Sequence, residues 1–227
     1  ILFDLDGNYT KIEPPAGYTN YPEISQVSAD GTMVGWASKG GVSSPFKWVD
    51  GVAEELPKPE LNYRDEPIGD VQARGISADG RIIYGTTWDN RDYGLVYWDE
   101  NGEVHYVGED VRYCRPVERP DGHGGTFTYN LCDGMWTTAT NTNVSPNGKY
   151  IAGTYRIESL SADGSEKNER NYPAFYNTET LKTVVFDDLP GGGALSATSD
   201  GLGFTADSTF GPSSGKVVDI ENGIVLG

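Results

Sequence analysis

The chain has 227 residues, enough for one large domain or two small ones. Lys and Arg total 17 against 34 Asp and Glu, a net charge of −17, which argues against a nucleic-acid or anionic-membrane surface, since both need clustered cations. With 37% hydrophobic residues, 14 Tyr and 5 Trp, the chain can bury a sizeable core and is too aromatic for disorder; no apolar run nears the roughly 20 residues of a transmembrane helix.

The chain opens on Ile1-Leu2-Phe3-Asp4-Leu5-Asp6-Gly7-Asn8, an apolar run into an acidic turn, followed by Tyr9 to Ile12. No basic-plus-apolar leader is visible. A start at Ile1 without Met reads as that of a chain whose leader or upstream segment has been removed. Downstream a motif recurs. Val27-Ser28-Ala29-Asp30-Gly31 precedes Thr32-Met33-Val34-Gly35-Trp36, and Ile76-Ser77-Ala78-Asp79-Gly80 precedes Arg81-Ile82-Ile83-Tyr84-Gly85. Val144-Ser145-Pro146-Asn147-Gly148 precedes Lys149-Tyr150-Ile151-Ala152-Gly153, and a weaker copy, Ala197-Thr198-Ser199-Asp200-Gly201, precedes Leu202-Gly203-Phe204-Thr205. Asp-Gly or Asn-Gly between apolar runs signals a hairpin, because these residues accept the positive φ of a tight turn and flanking Ser and Asp can bond its backbone. After each hairpin comes an aromatic or β-branched strand running into an acidic turn: Phe46-Lys47-Trp48-Val49-Asp50-Gly51, Tyr97-Trp98-Asp99-Glu100-Asn101-Gly102, Phe175-Tyr176-Asn177-Thr178, and Val217-Val218-Asp219-Ile220-Glu221-Asn222-Gly223.

Four short strands per period of about 50 residues, with no helix-period segment, predict an all-β chain of four-stranded antiparallel β-propeller blades. The expected layout is a half blade over 1–13, blades over about 20–57, 68–108, 137–186 and 193–226, and insertions over about 108–141 and 157–171. The C-terminal blade already has its own outer strands, so two readings stay open: a five-bladed ring, or a piece of a larger propeller, with the second favoured. The fourth blade is the least secure, because Leu202-Gly203-Phe204 is a weak strand.

The run Ser145-Pro146-Asn147-Gly148-Lys149-Tyr150-Ile151-Ala152 resembles the TolB-type propeller repeat. Ser28-Ala29-Asp30-Gly31 with Val34-Gly35-Trp36 and Phe46-Lys47-Trp48 resembles the bacterial extracellular HAF-type repeat. The resemblance covers nearly all of the chain outside the insertions. It implies a propeller, and a mostly non-enzymatic, exported, interaction-mediating role: extracellular, cell-surface or periplasmic.

Long loops on a rigid scaffold are where binding usually resides, so the insertion over 108–141 is the first site region. Exposed aromatics beside polar groups suit a sugar or peptide ligand. The candidate ligand-binding residues are Trp136, Tyr113, Tyr129, Arg115, Trp88 and Tyr93. Trp36, Trp48 and Trp98 are expected in the core, where blades pack on aromatic rings, and the core also competes for Trp88 and Trp136. Cys114 and Cys132 flank this loop, and a disulfide between them would order it and place the chain in an oxidising compartment. Two unrelated thiols remain the alternative. The region 157–171, with Ser161-Ala162-Asp163-Gly164 near its middle, reads as an extended hairpin.

No cofactor is implied. Calcium, which takes six to eight oxygens, is a minor alternative at Asp4-Leu5-Asp6-Gly7-Asn8, where the glycine falls too early for an EF-hand. The same run resembles the nucleophile loop of haloacid-dehalogenase-type phosphatases, with Asp187-Asp188 as a mimic of their metal-binding pair. That chemistry sits on an α/β scaffold, and hairpins stand here where helices should follow. The two histidines, His105 and His123, exclude a three-His zinc site within the chain, and they read as structural and exposed respectively. Asn8-Tyr9-Thr10 and Asn143-Val144-Ser145 match the glycosylation pattern. No phosphate-binding or dinucleotide fingerprint is present. The expected function is a non-catalytic exported module that presents loops to a protein or carbohydrate ligand. A propeller-type glycoside hydrolase or lyase with paired carboxylates is the alternative.

Overall fold

The computed structural model describes residues 2–3, 9–10, 12–18, 20–61, 67–88, 93–111, 113–137, 142–161, 166–189, 191–207 and 215–227. The described strands are β1 (Leu2–Phe3), β2 (Tyr9–Thr10), β3 (Glu23–Val27), β4 (Met33–Lys39), β5 (Val42–Val49), β6 (Val52–Glu55), β7 (Asp70–Ile76), β8 (Ile83–Trp88), β9 (Tyr93–Trp98), β10 (Val104–Tyr106), β11 (Tyr113–Pro120), β12 (Thr126–Thr137), β13 (Asn143–Val144), β14 (Tyr150–Leu160), β15 (Lys167–Asn177), β16 (Lys182–Val185), β17 (Gly192–Ala197), β18 (Leu202–Asp207), β19 (Gly215–Asp219) and β20 (Ile224–Val225). One 3-10 turn, Glu109–Val111, interrupts them, and no α-helix occurs among the described residues.

Pairing is sequential and antiparallel. Sheets β3-β4-β5-β6, β7-β8-β9-β10 and β17-β18-β19-β20 each have four strands in chain order. The remaining repeat is β13-β14-β15-β16, widened to six strands because the hairpin β11-β12 joins β14 as well. At the N-terminus β1 and β2 form a two-stranded sheet in which Leu2 faces Thr10 and Phe3 faces Tyr9. Residues 4–8, and with them the acidic run considered for calcium and the first glycosylation pattern, lie outside the described residues. Leu202-Gly203-Phe204 is a full central strand, paired on both sides.

The sheets stack face to face in order, as propeller blades do. Val34 and Leu56 of the first four-stranded sheet pack on Ile83, Val96 and Trp98 of the second. Tyr84, Tyr97 and Val107 of the second meet Ile151, Ala174 and Tyr176 of the third, and Tyr150, Ala152 and Phe175 of the third meet Ala194, Val218 and Ile220 of the fourth. Trp48 and Trp98 are core residues, 1% and 0% exposed. Trp36 is half-buried on the side of the sheet opposite Trp48.

A glycine in each second strand leaves room for neighbouring groups, within the sheet or across to the next. A Cβ on Gly85 would stand 2.5 Å from the Gln72 carbonyl oxygen and 2.7 Å from the Trp98 ring. Gly35 is closed off by the Glu23 backbone, and Gly203 by the Phe175 ring of the preceding sheet. First strands carry an irregularity at matching places: between Ile24 and Gln26, between Ala73 and Gly75, and between Ala194 and Ser196. At the first of these, Ser25 Oγ donates to the Ala73 carbonyl of the next sheet at 2.9 Å.

The Ser-x-Asp-Gly turns are built alike. The hydroxyls of Ser28, Ser77 and Ser145 donate to Asp30, Asp79 and Asn147 at 2.5, 2.6 and 2.9 Å, and Thr198 does the same to Asp200. Gly31, Gly80 and Gly148 close the turns with positive φ and donate back to the serine carbonyls. The sequence signal is therefore a side-chain-bonded turn of four to five residues; the two-residue turns are Gly40-Gly41 and Asp50-Gly51. Neighbouring turns are laced together: Ala29 N donates to Ala78 O at 3.0 Å, Asp79 N to Pro146 O at 3.3 Å, and Asn147 Nδ2 to Ser199 O at 3.3 Å.

The Ser28 hydroxyl holds the Asp30 carboxyl below its ordinary value, and the N–H groups of His123 and Gly125 do the same for Asp121. Partial burial raises Asp79, but Ser77 and Arg81 outweigh it and the net shift is downward. Stability from these groups is fully present above the unfolded carboxylate value of 3.8 and is lost as pH falls through the lower folded values. The urea midpoint should be flat from neutral pH to about pH 5 and then fall below it, with Asp79→Asn flattening the fall. Gly85→Ala should cost about 2 kcal/mol or more in urea denaturation, as overpacking a closed contact does.

Candidate functional site

Antiparallel pairing sorts the connections onto two ends of the stacked sheets. Connections between first and second strands, and between third and fourth, share one end and are short, regular turns. The other end carries the facing strand ends Trp88 and Tyr93, Leu160 and Lys167, and Asp207 and Gly215, and the described hairpin β11-β12. Nearly all of the length variation falls at this loop end.

Within the insertion, residues 113–137 form an arm. Strands β11 and β12 pair from Tyr113–Gly134 to Pro120–Thr126, and Asp121 caps the tip by accepting from the N–H groups of His123 (2.7 Å) and Gly125 (2.9 Å). The arm is anchored where Met135, Trp136 and Thr137 pair with Arg156, Tyr155 and Thr154 of β14. Leu131 is buried in the lower half of the arm, whereas Tyr113 at its base is 60% exposed and Phe127 beside its tip is 44% exposed. The register sets Cys114 opposite Cys132, Arg115 opposite Leu131 and Val117 opposite Tyr129.

The other candidates fall on the same end. Trp88 pairs in register with Tyr93 at the loop end of the second sheet, and Trp88 is 47% exposed, which corrects the core reading for it. Trp136 lies in one register row with Tyr155 and Tyr172. The structure thus brings Trp88 and Tyr93 together and Tyr113, Arg115, Tyr129 and Trp136 onto the arm; the side chains of Tyr93, Tyr129 and Trp136 lie outside the description. Phe127 was not among the candidates, and its place beside the glycine-rich tip is the only sequence signal that would have singled it out.

Sequence reasoning also missed a charged network where β14 and β15 run past the sheet. Glu158 is fully buried and faces Glu169 across the strands, and two carboxylates so placed repel unless a cation stands between them. Lys167 Nζ is that cation, 3.1 Å from Glu158 and 2.5 Å from Glu169. Arg156 adds 3.4 Å to Glu169 and a 3.2 Å hydrogen bond to Asn171. This is a carboxylate pair, but its oxygens are held by cations on the strands themselves. The chemistry it supports is a clamp on the extended hairpin.

Asp99, Glu103 and His105 have ligand atoms within 4.8 Å of one another, a spacing that suits a metal ion. Asp99 is already engaged: Oδ1 accepts from the N–H groups of Asn101 and Glu103, and Oδ2 from the Asn101 amide. Asp219 and Asn177 do the same work in the corresponding turns. His105 stacks on Tyr97 with ring centroids 5.0 Å apart, which explains it structurally. His123 is exposed at the tip of the arm. The Ser145 of the second glycosylation pattern is fully buried, with its hydroxyl bonded to Asn147 and to the N–H of Tyr150.

No protein-family model and no curated protein matches the chain. Among solved structures it is similar to TolB from Acinetobacter baumannii, at 15% identity and a TM-score of 0.44 over 98% of this chain and 46% of that one. It is also similar to a chain of a nidogen/laminin complex, at 11% identity and a TM-score of 0.29 over 90% of this chain and 78% of that one. The chain thus spans about half the length of that TolB. The reading of the sheets as successive blades rests on their own pairing and packing.

Lys167→Met should cost about 3 kcal/mol in denaturation, because it leaves the buried Glu158 carboxylate without this cation. Lys167→Met combined with Glu158→Gln should recover part of that loss.

Proposed function

We propose that the protein is a non-catalytic binding module, exported from a bacterial cell to the periplasm or cell surface, whose loop end takes a protein or glycan ligand. The observation that carries this reading is the placement of exposed aromatics: Trp88, Tyr113 and Phe127 stand in the open at the loop end, while Trp48 and Trp98 are spent in the core. Flat rings beside Arg115 suit the apolar faces of sugars or the side chains of a peptide, with polar neighbours fixing orientation. No helix among the described residues is long and apolar enough to cross a membrane. The repeats read as four blades and a half, as a five-bladed ring or a piece of a larger propeller.

We also assign a disulfide to Cys114 and Cys132. They sit opposite each other near the base of the arm, and the bond would close the loop that carries the tip, contributing roughly 3 kcal/mol. Such a bond belongs to an oxidising compartment, in line with export.

A glycan array and a pull-down from periplasmic and surface extracts test the module directly. Binding should fall roughly tenfold or more in the Trp88→Ala, Tyr113→Ala double variant, with the thermal midpoint unchanged. Blank results in both assays, together with measurable hydrolase turnover, would replace the module with the glycoside hydrolase or lyase reading. For the disulfide, the intact mass of the non-reduced protein should be two hydrogens lighter than that of the reduced protein.

A further inference from the structure

The tight turns hold a reactive pair of residues as well as a backbone. Asn-Gly stands three times in the sequence, at Asn101-Gly102, Asn147-Gly148 and Asn222-Gly223. In this dipeptide the glycine amide nitrogen can close on the asparagine side-chain carbonyl carbon, since the glycine has no side chain to bar the approach. For that the nitrogen must be free of its own hydrogen bond and the turn free to reorient.

The fold treats the three pairs differently. Asn147-Gly148 is locked: Gly148 is buried and its N–H donates to Ser145 O at 2.9 Å. Asn147 Oδ1 accepts from Ser145 Oγ at 2.9 Å and Lys149 N at 3.2 Å, while Nδ2 donates to Ser199 O of the next sheet at 3.3 Å. Asn101 is exposed, but Gly102 N donates to Asp99 O at 2.9 Å. At Asn222-Gly223 both residues are exposed, and Gly223 N has no acceptor among the described residues. The bonds that Asn222 donates to Asp219, from N at 3.0 Å and from Nδ2 at 2.8 Å, lie on the surface, where water replaces them readily. The matching residues of the second and third sheets, Asn101 and Thr180, are exposed as well, although a sheet packs after each. The place of the turn in the sheet therefore sets this exposure.

We propose that Asn222 is a site of spontaneous deamidation, with water as the co-reactant. Gly223 N bonds to Asn222 Cγ, the Cγ–Nδ2 bond breaks, and ammonia leaves with the proton that Gly223 N gives up through solvent. Water then opens the resulting ring at either carbonyl, giving aspartate or its β-linked isomer. Either product sets a carboxylate beside Asp219 where an amide donor stood. The same turn carries Glu221, whose Oε1 accepts from Lys149 Nζ at 2.8 Å and from the Tyr150 hydroxyl at 2.9 Å, both in the third sheet. The change thus loosens the join between the third and fourth sheets, and it does not reverse.

The test holds the whole folded chain in mildly alkaline buffer and follows the three Asn-Gly peptides by mass after digestion. The Asn222 peptide should gain the mass of an amide-to-acid change roughly fivefold or more faster than the other two, as one hydrogen bond fewer on the attacking nitrogen implies. In urea, where no turn persists, the gap between the peptides should close. Asn222→Gln should keep its thermal midpoint through an incubation that lowers that of the parent chain. An unconverted Asn222, equal conversion of Asn222 and Asn101 in the folded chain, a gap that persists in urea, or a midpoint that falls as far in Asn222→Gln would overturn the proposal.

Discussion

The structure depends on close approach between a bare glycine backbone and a large ring. A four-stranded sheet is apolar on both faces here, so it must be covered twice, and the covering sheets have to come near enough to exclude water. Glycine in the second strand leaves room for a ring: Trp98 of the same sheet lies over Gly85, and Phe175 of the preceding sheet lies against Gly203. The strand loses some intrinsic preference through that glycine, and the buried ring more than offsets it. A ring seated over a bare backbone gives a reason for the third-strand aromatic and the second-strand glycine to recur in step along the sequence.

Charge plays a separate, local part. The net charge of −17 invites a search for a cation site, yet the described turn carboxylates of Asp30, Asp79, Asp99, Asp121 and Asp219 are occupied by hydroxyl and N–H donors within their own turns. These five of the 34 acidic residues are used as acceptors that close tight turns. Glu158 plays a different part: it is buried and paired with a lysine on the adjoining strand.

Much of this was legible in the residues. Period, strand order, the core role of Trp48 and Trp98 and the extended hairpin at 157–171 all follow from alternation and turn chemistry, which are local. What stayed hidden depends on where segments go in space. That β12 would join β14 beside β13 cannot be read from its composition, and neither can the exposure of Trp88, because exposure is decided by which neighbour arrives. The Glu158–Lys167–Glu169 network was invisible for a related reason: its three charges look like a solvated strand until the register shows two carboxylates opposed.

The arm has one further property. Pro116 and Pro120 stand four apart on β11, and pairing with β12 is intact at both. The amide protons they lack are therefore missing from the free border of the strand, away from the hairpin partner. Only alternate residues point their amides that way, so this border is stripped of half its donors along the paired stretch. An extended peptide cannot zip onto it as an added strand, and chance sticking between arms is discouraged by the same means. A ligand of the kind proposed would have to be gripped there by rings and charged tips, a mode of grip that can be retuned one side chain at a time without disturbing the scaffold.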